Sequence, residues 1–205
     1  MSETPEERFS KRGGRVIASR IADVLSKGKG EAESKTRAAY RDELVAEILT
    51  GTIAESYQSE AMTRGVEEER FARAAYELHA GVFVEKQPGR SHPRLRSGAS
   101  ADGEVGADGI LEIKCPHSKT HVAWMGAGAV PSEHRPQMLW QLACYPERKW
   151  CDFVSFDARM PEGRKLFVVR LERDEAWIGK AEAEVERFLA EVDAMVARFA
   201  IEETV

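Results

Sequence analysis

Three ionisable residues lie close together in the segment ADGEVGADGILEIKCP, residues 101–116: Asp102, Glu112 and Lys114. The run ILEIK alternates apolar and polar residues, which is the pattern of a β-strand. Alternate side chains of a strand share a face, so Glu112 and Lys114 point one way and Leu111 and Ile113 the other. Asp102 precedes a glycine-rich turn, and we expect a hairpin to bring it to the face that carries Glu112.

These residue types indicate metal-assisted chemistry. Two carboxylates in one small space repel each other, so either a pKa rises or a cation binds between them. Mg²⁺ suits such a pair because it takes one or two carboxylates, keeps several waters and accepts phosphate oxygens. Hydrolysis of a phosphodiester follows, with Lys114 placed to orient or deprotonate the attacking water. The alternative is an exposed strand face with a modest charge pair, and the hairpin alone leaves both interpretations open.

Hydrophobic periodicity predicts the elements that would position this hairpin. Helices are predicted over 14–25, 36–50, 62–79 and 135–144, with Phe71, Ala75 and Leu78 facing inward in the third. Strands are predicted over 82–85, 150–156 and 165–171, and as two strands within 98–114 around a turn near 107–109. The pattern is that of an α/β fold with a mixed sheet.

A long helix is predicted at the end of the chain. Its apolar residues recur at steps of three and four from Ile178 to Phe199 and form one continuous seam. Packing of this seam on the sheet of the same subunit is favoured over a subunit interface. We expect one domain over residues 1–205, with residues 1–10 flexible.

Composition fits a soluble, cytoplasmic protein. The 205 residues are 42% hydrophobic, but no apolar run reaches the roughly 18 residues that cross a membrane, and the first residues lack a signal peptide's apolar core. The three cysteines, Cys115, Cys144 and Cys151, form no CxxC pair, so we expect small buried hydrophobes and not a disulfide framework or a zinc site.

Charge is unevenly distributed along the chain. The formal net charge is −5, but residues 1–41 carry ten Lys or Arg against six Asp or Glu, whereas residues 172–205 carry four against ten. A local basic surface is therefore able to bind phosphate even though the whole chain is acidic.

The order Asp-x9-Glu-x-Lys is that of the PD-(D/E)xK nuclease superfamily, and SADG followed by GILEIKCP resembles the lambda-type (YqaJ-like) phage alkaline exonuclease family. The segments KRGGRVIASRI, GVEEERFAR, RPQMLWQLACY, WCDFVSFDARM and RLERDE are similar to further segments of that family, in the same order. The resemblance covers roughly residues 11 to 200 and implies a restriction-endonuclease-like core, with a mixed central sheet flanked by helices and a long C-terminal helix.

The resemblance also implies roles for individual residues. Asp102 and Glu112 would be metal ligands together with the backbone carbonyl of Ile113, and Lys114 would be the catalytic lysine. Glu69 and Gln137 would hold metal-bound or nucleophilic water. Two residues would bind the terminal 5′-phosphate, namely Arg12 and Ser19. Leu139 stands where many relatives have a second glutamine, and His117 and His121 are expected to contact the DNA backbone rather than a metal.

The activity implied by the resemblance is Mg²⁺-dependent degradation of one strand of duplex DNA from its 5′ end, with Mn²⁺ as a substitute and two ions per site. The implied products are mononucleotides and a 3′ single strand for recombination. Three subunits would form a ring around the DNA, with a single-strand annealing protein as partner and no membrane contact. The alternatives are a structure-specific or restriction-type endonuclease and a DNA-binding or assembly module that has lost catalysis.

Overall fold

The computed structural model describes residues 12–30, 32–53 and 60–199. Residues 1–10, expected to be flexible, lie outside this part of the chain. The elements in chain order are β1 (Val16–Ile17), a 3-10 turn (Ala18–Arg20), α1 (Ile21–Val24), α2 (Lys35–Thr50), α3 (Glu60–Ala80), β2 (Val84–Glu85), β3 (Arg90–Ser91), β4 (Ser97–Ala99), β5 (Gly103–Val105), β6 (Gly109–Lys114), α4 (Ser118–Ala127), α5 (Arg135–Cys144), β7 (Trp150–Phe156), β8 (Leu166–Glu172) and α6 (Glu175–Phe199).

A five-stranded sheet in the order β2-β5-β6-β7-β8 forms the centre of the fold. Strands β6 and β7 are parallel and the other neighbouring pairs are antiparallel, so the sheet is mixed. A parallel pair needs a crossover, and α4 with α5 supplies it. A smaller sheet in the order β1-β4-β3 lies beside the first. The mixed sheet flanked by helices confirms the predicted fold class.

Helices cover both faces of the central sheet. On one face, Ile110 and Phe153 pack in a large core with residues of α2, α5 and α6. On the other face, Leu111 and Ile113 pack with residues of α3, among them Tyr76. The alternation in β6 therefore directs its apolar residues to α3 and leaves Glu112 and Lys114 on the side of α5. No helix in the described part of the chain is long and apolar enough to cross a membrane.

Several predicted elements are confirmed closely. Helix α5 and strand β7 have the predicted bounds, and β8 is shifted by one residue. The turn between β5 and β6 lies at residues 106–108, one residue before its predicted position, because Gly106 adopts a φ of 54° that favours glycine. The seam of α6 is buried in its own chain from Ile178 to Val192, as favoured, but it packs chiefly on α2 and α5 and not on the sheet. Phe199 at its end is 51% exposed.

Other predictions are wrong. Residues 14–25 form a short strand, a 3-10 turn and one turn of helix instead of a continuous helix, because Val16 and Ile17 pair with β4. In α3 the predicted inward face is wrong for Phe71 and Leu78, which are 52% and 88% exposed, and right for Ala75, which packs against the core. Over residues 67–80 of this helix the buried residues are Ala72 and Tyr76. Helix α4 was not predicted.

Candidate active site

The hairpin of β5 and β6 holds Asp102 against β6. The backbone N–H of Asp102 donates to the carbonyl of Leu111 at 3.0 Å, and Asp102 Oδ2 accepts from the N–H of Ile113 at 2.6 Å. The next residue must be small, since a Cβ on Gly103 would lie 2.1 Å from Cγ1 of Val84 on the neighbouring strand. Close packing of the strands therefore requires the glycine that follows Asp102.

Glu112 lies at the centre of the site and is only 1% exposed. Its Oε1 is 2.5 Å from Lys114 Nζ and accepts from Gln137 Nε2 at 2.6 Å. Its Oε2 accepts from Gln141 Nε2 at 2.5 Å. Gln137 and Gln141 are one turn apart on α5, so a single face of this helix holds both carboxylate oxygens. The alternative of an exposed strand face is wrong.

Electrostatics couple the three predicted residues. Burial and the neighbouring Glu112 carboxylate raise the pKa of Asp102 to about 7, while the Ile113 N–H and Lys114 oppose that rise. Burial lowers the pKa of Lys114, but the Glu112 and Asp102 carboxylates outweigh this effect and raise its pKa above the usual value. Lys114 therefore lies in the site as an ammonium group in contact with the Glu112 carboxylate.

Glu69 on α3 approaches the same site from the opposite side of the hairpin. Arg73, one turn later, contacts the Glu69 carboxylate and also donates to the backbone carbonyl of Asp102 at 3.1 Å. Lys86 Nζ lies 3.5 Å from Glu69 Oε1. The Glu69 charge is near enough to contribute to the raised pKa of Asp102. Arg73 thus fixes the position of Glu69 relative to the hairpin.

Arg12, Ser19 and Gln137 line one cavity of about 710 Å³. The cavity extends from the Arg12 turn across β3 and β4 to the α5 face that contacts Glu112. The residues predicted to bind a terminal phosphate are consequently in the same space as a residue that contacts the candidate metal ligand.

The oxygen donors of the site fit Mg²⁺. In the described residues no three His, Cys, Asp or Glu side chains form one metal-binding cluster. The donors that would hold an ion here are the two predicted carboxylates, those of Asp102 and Glu112. Hard oxygen ligands in this number suit an ion that retains several waters. The contribution of the Ile113 carbonyl and the presence of two ions stay predictions.

Comparison with known proteins gives a family. The model of the YqaJ-like viral recombinase domain matches residues 9–146. The chain belongs to this family. No curated protein sequence matches it.

Solved structures extend the YqaJ-like match to nearly the whole chain. The alkaline exonuclease LHK-Exo from Laribacter hongkongensis is 42% identical with a TM-score of 0.86, over 94% of this chain and 95% of that chain. The structure of LHK-Exo in complex with dAMP is 43% identical with the same TM-score and coverage. A phage-related exonuclease from Haemophilus somnus 129PT, with 17% identity, a TM-score of 0.71 and coverage of 94% and 100%, shares the fold. The neighbours are exonucleases of the PD-(D/E)xK type.

Two features of this YqaJ-like site were missed or misjudged from the sequence. Gln141 was not singled out, although its spacing of four from Gln137 places both on one helix face. Leu139, at the position where the resemblance implies a second glutamine, is fully buried in the core. The expected DNA contact of His121 is wrong, because this ring is fully buried, with Nδ1 2.7 Å from Ser155 Oγ and Nε2 2.9 Å from the Arg164 carbonyl oxygen. His117 is exposed at the start of α4.

Proposed function

We propose that the protein is a Mg²⁺-dependent exonuclease that degrades one strand of duplex DNA from its 5′ end and leaves a 3′ single strand for recombination by annealing. The observation that carries this proposal is the convergence of Asp102, Glu112 and Lys114 beside a cavity lined by Arg12, Ser19 and Gln137. Membership of the YqaJ-like family supports the nuclease activity in general.

In the proposed mechanism Asp102 and Glu112 would hold the metal, together with the Ile113 carbonyl. Bound Mg²⁺ would polarise the phosphate and lower the pKa of a coordinated water. Lys114 would contribute a positive charge to the site, and Gln137, whose side-chain amide donates to Glu112, would orient the water or the phosphate. Glu69, fixed by Arg73, would hold a further water at the metal.

The preference for a 5′ end is assigned to the cavity. Arg12 offers a guanidinium group and Ser19 a hydroxyl group, and both suit the oxygens of a terminal phosphate. A strand end anchored there would place a nearby phosphodiester group at the carboxylates, since Gln137 lines the cavity and contacts Glu112. The relative LHK-Exo, crystallised with dAMP, supports release of mononucleotides.

The proposal includes assembly and partners. Three subunits in a ring around the duplex would keep the enzyme on its substrate, and a single-strand annealing protein would take over the exposed 3′ strand. Two Mg²⁺ ions per site, replaceable by Mn²⁺, would assist attack and departure of the oxygens.

The test is digestion of a linear duplex labelled separately at each end, with Mg²⁺ or with EDTA. We expect labelled mononucleotides from the 5′ ends alone, only with the metal, and no cutting of closed circular DNA. Asp102→Asn should lower the rate at least about a hundredfold because a metal ligand loses its charge. Asp108→Asn is the matched control, since Asp108 lies on the same hairpin with its side chain 48% exposed.

Each other outcome has a clear meaning. Cutting of closed circles would favour an endonuclease of the same superfamily. Binding of duplex ends without cleavage by the unmodified protein would favour a module that has lost catalysis. Equal loss of activity in Asp102→Asn and Asp108→Asn would contradict the role of Asp102 as a metal ligand.

A further inference from the structure

Three arginines line the 710 Å³ cavity: Arg12, Arg15 and Arg90. The charge of Arg90 is compensated within the protein. Its guanidinium group contacts Glu104 Oε1 at 2.8 Å and also the Glu147 carboxylate. Arg90 therefore has little positive charge to offer a ligand, and the cavity's cationic character depends on the other two.

Arg15 is not compensated in this way. Among the residues that the structure describes, no carboxylate lies within ion-pair distance of its guanidinium group, and its side chain has one hydrogen bond, from Nη1 to Ser91 Oγ at 3.4 Å. Other arginines near the N-terminus do have acidic partners, as Arg20 does with Asp23 and Glu43. A guanidinium group that lines a cavity, with no acid beside it among the described residues, is suited to an anionic ligand.

The backbone of Arg15 is held rigidly. Its N–H donates to the Arg12 carbonyl at 3.3 Å, and its own carbonyl accepts from the hydroxyl of Tyr40 at 3.4 Å. The preceding N–H, of Gly14, donates to Oε2 of the buried Glu47 at 2.9 Å. The next residue, Val16, pairs with Ser97 of β4. The turn from Arg12 to Arg15 is thus fixed by α2 and β4, with an arginine at each end.

We propose that Arg15 is a second phosphate-binding residue of this cavity and acts with Arg12 on the 5′-terminal part of the degraded strand. This inference rests on the proposed function and adds a residue to which the family resemblance gives no role. The ligand is a phosphate group of DNA, either the terminal phosphate or the adjoining phosphodiester. A guanidinium group binds such oxygens through two parallel N–H donors, which a lysine does not reproduce.

The test uses the full chain carrying Asp102→Asn, so that DNA is bound without being cut. Fluorescence anisotropy measures binding of a short blunt duplex, with 5′-phosphate or 5′-hydroxyl ends, at salt concentrations from about 50 to 200 mM. The variants added are Arg15→Gln, Arg15→Lys and, as a matched control, Arg187→Gln, because Arg187 is an exposed arginine on α6 paired with Glu184. Circular dichroism and melting temperature check that each variant is folded.

We expect Arg15→Gln to weaken binding about tenfold at low salt. The slope of the logarithm of the binding constant against the logarithm of the salt concentration should become shallower by about one, which corresponds to the loss of one phosphate contact. The affinity of Arg15→Lys for the duplex should lie between that of Arg15→Gln and that of the chain with Arg15 intact. Arg187→Gln should leave the affinity unchanged. Loss confined to the 5′-phosphorylated duplex would identify the terminal phosphate as the ligand, and equal loss on both duplexes would identify the phosphodiester.

Binding by folded Arg15→Gln that equals binding by Arg187→Gln would overturn the role of Arg15. If Arg15→Gln is not folded, Arg15→Lys decides: binding at full strength would equally overturn the proposal. Failure of the proposed function has a different signature, in which the chain with Arg15 intact binds no duplex ends and the unmodified protein cuts none.

Discussion

The two glutamines that contact Glu112 each donate a hydrogen bond to a different oxygen of its carboxylate. Gln137 donates to Oε1, which also faces Lys114, whereas Gln141 donates to Oε2 and to the carbonyl of Ser100 at 3.2 Å. Gln141 is fully buried, so its amide cannot exchange these partners for water. Hydrogen bonds of this kind orient a carboxylate such as that of Glu112. Residues that hydrogen-bond a metal-binding carboxylate commonly affect the metal affinity of the site.

We therefore expect Gln141→Leu to lower Mg²⁺ affinity or kcat about 10- to 100-fold, because Glu112 loses the donor that orients its Oε2. The KM for DNA ends should not change, since Gln141 does not line the cavity described above. Isothermal titration with Mg²⁺ and steady-state kinetics measure the two effects. The control is Gln87→Leu, at an exposed loop residue. An unchanged kcat and Mg²⁺ affinity in folded Gln141→Leu would show that Glu112 needs only Gln137.

At the residue scale, short-range patterns predicted the site only in part. Strand alternation was sufficient to place Glu112 and Lys114 on one face, because that face depends only on β6 itself. Gln141 and Arg15 depend on how α5 and β1 pack against the sheets, which no local pattern contains. His121 illustrates the same limit, because an unpredicted helix buries it against Ser155.

The buried face of a helix was predicted correctly where the helix has a single apolar seam that packs along its length. Helix α6 has a single seam and packs along it, with Val185 and Phe188 fully buried. Helix α3 has a less obvious inward face, since it presents Ala72 and Tyr76 to the sheet, with Arg73 and Glu69 toward the hairpin. Tyr76 donates to Asp152 Oδ2 at 2.8 Å, so a polar contact adds to the apolar packing that holds this face of the helix on the sheet. The positions of the large apolar side chains alone do not predict that face.

The seam of α6 can be tested with two phenylalanines in one helix. Phe188 is fully buried and stacks on Tyr40 with ring centroids 5.6 Å apart, whereas Phe199 is 51% exposed. We expect Phe188→Ala to lower the free energy of unfolding by about 3 to 5 kcal/mol through the cavity it leaves. Phe199→Ala should change it by less than about 0.5 kcal/mol. Urea denaturation measures both, and equal effects would contradict packing of the seam within the chain.

At the scale of the whole molecule, the uneven charge of the sequence is largely paired internally. The acidic α6 contacts basic residues from the first half of the chain: Glu191 with Arg37 and Arg41, and Asp193 with Arg96. The excess of positive charge over residues 1–41, which predicted a local basic surface, is therefore partly neutralised on α2. The turn that carries Arg12 and Arg15 lies outside these pairings. Sequence counts could not make this distinction because the partners are more than 90 residues apart.

Subunit contacts in the proposed ring need a surface other than the seam of α6, which is covered by its own chain. Three large apolar side chains of α3 and the loop after it are exposed, with fractions of 52% for Phe71, 88% for Leu78 and 89% for Phe83. Phe71 and Leu78 are seven residues apart and therefore on one side of the helix, and exposed apolar residues on one surface mark a contact more often than scattered ones do. We propose that they lie between subunits of the ring, since α3 needs none of them to pack on the sheet.

We expect the unmodified protein to be a trimer in size-exclusion chromatography with light scattering, and Leu78→Glu with Phe83→Glu to shift it toward the monomer. Burying two carboxylates without partners in a subunit interface costs several kcal/mol, whereas on an exposed surface the fold is spared. Leu49→Glu is the control, because Leu49 is a 47% exposed leucine on α2. If the double variant stays trimeric, the contacts lie elsewhere on the subunit. If the unmodified protein is a monomer, the ring itself is wrong, and its hold on DNA must come from the cavity alone.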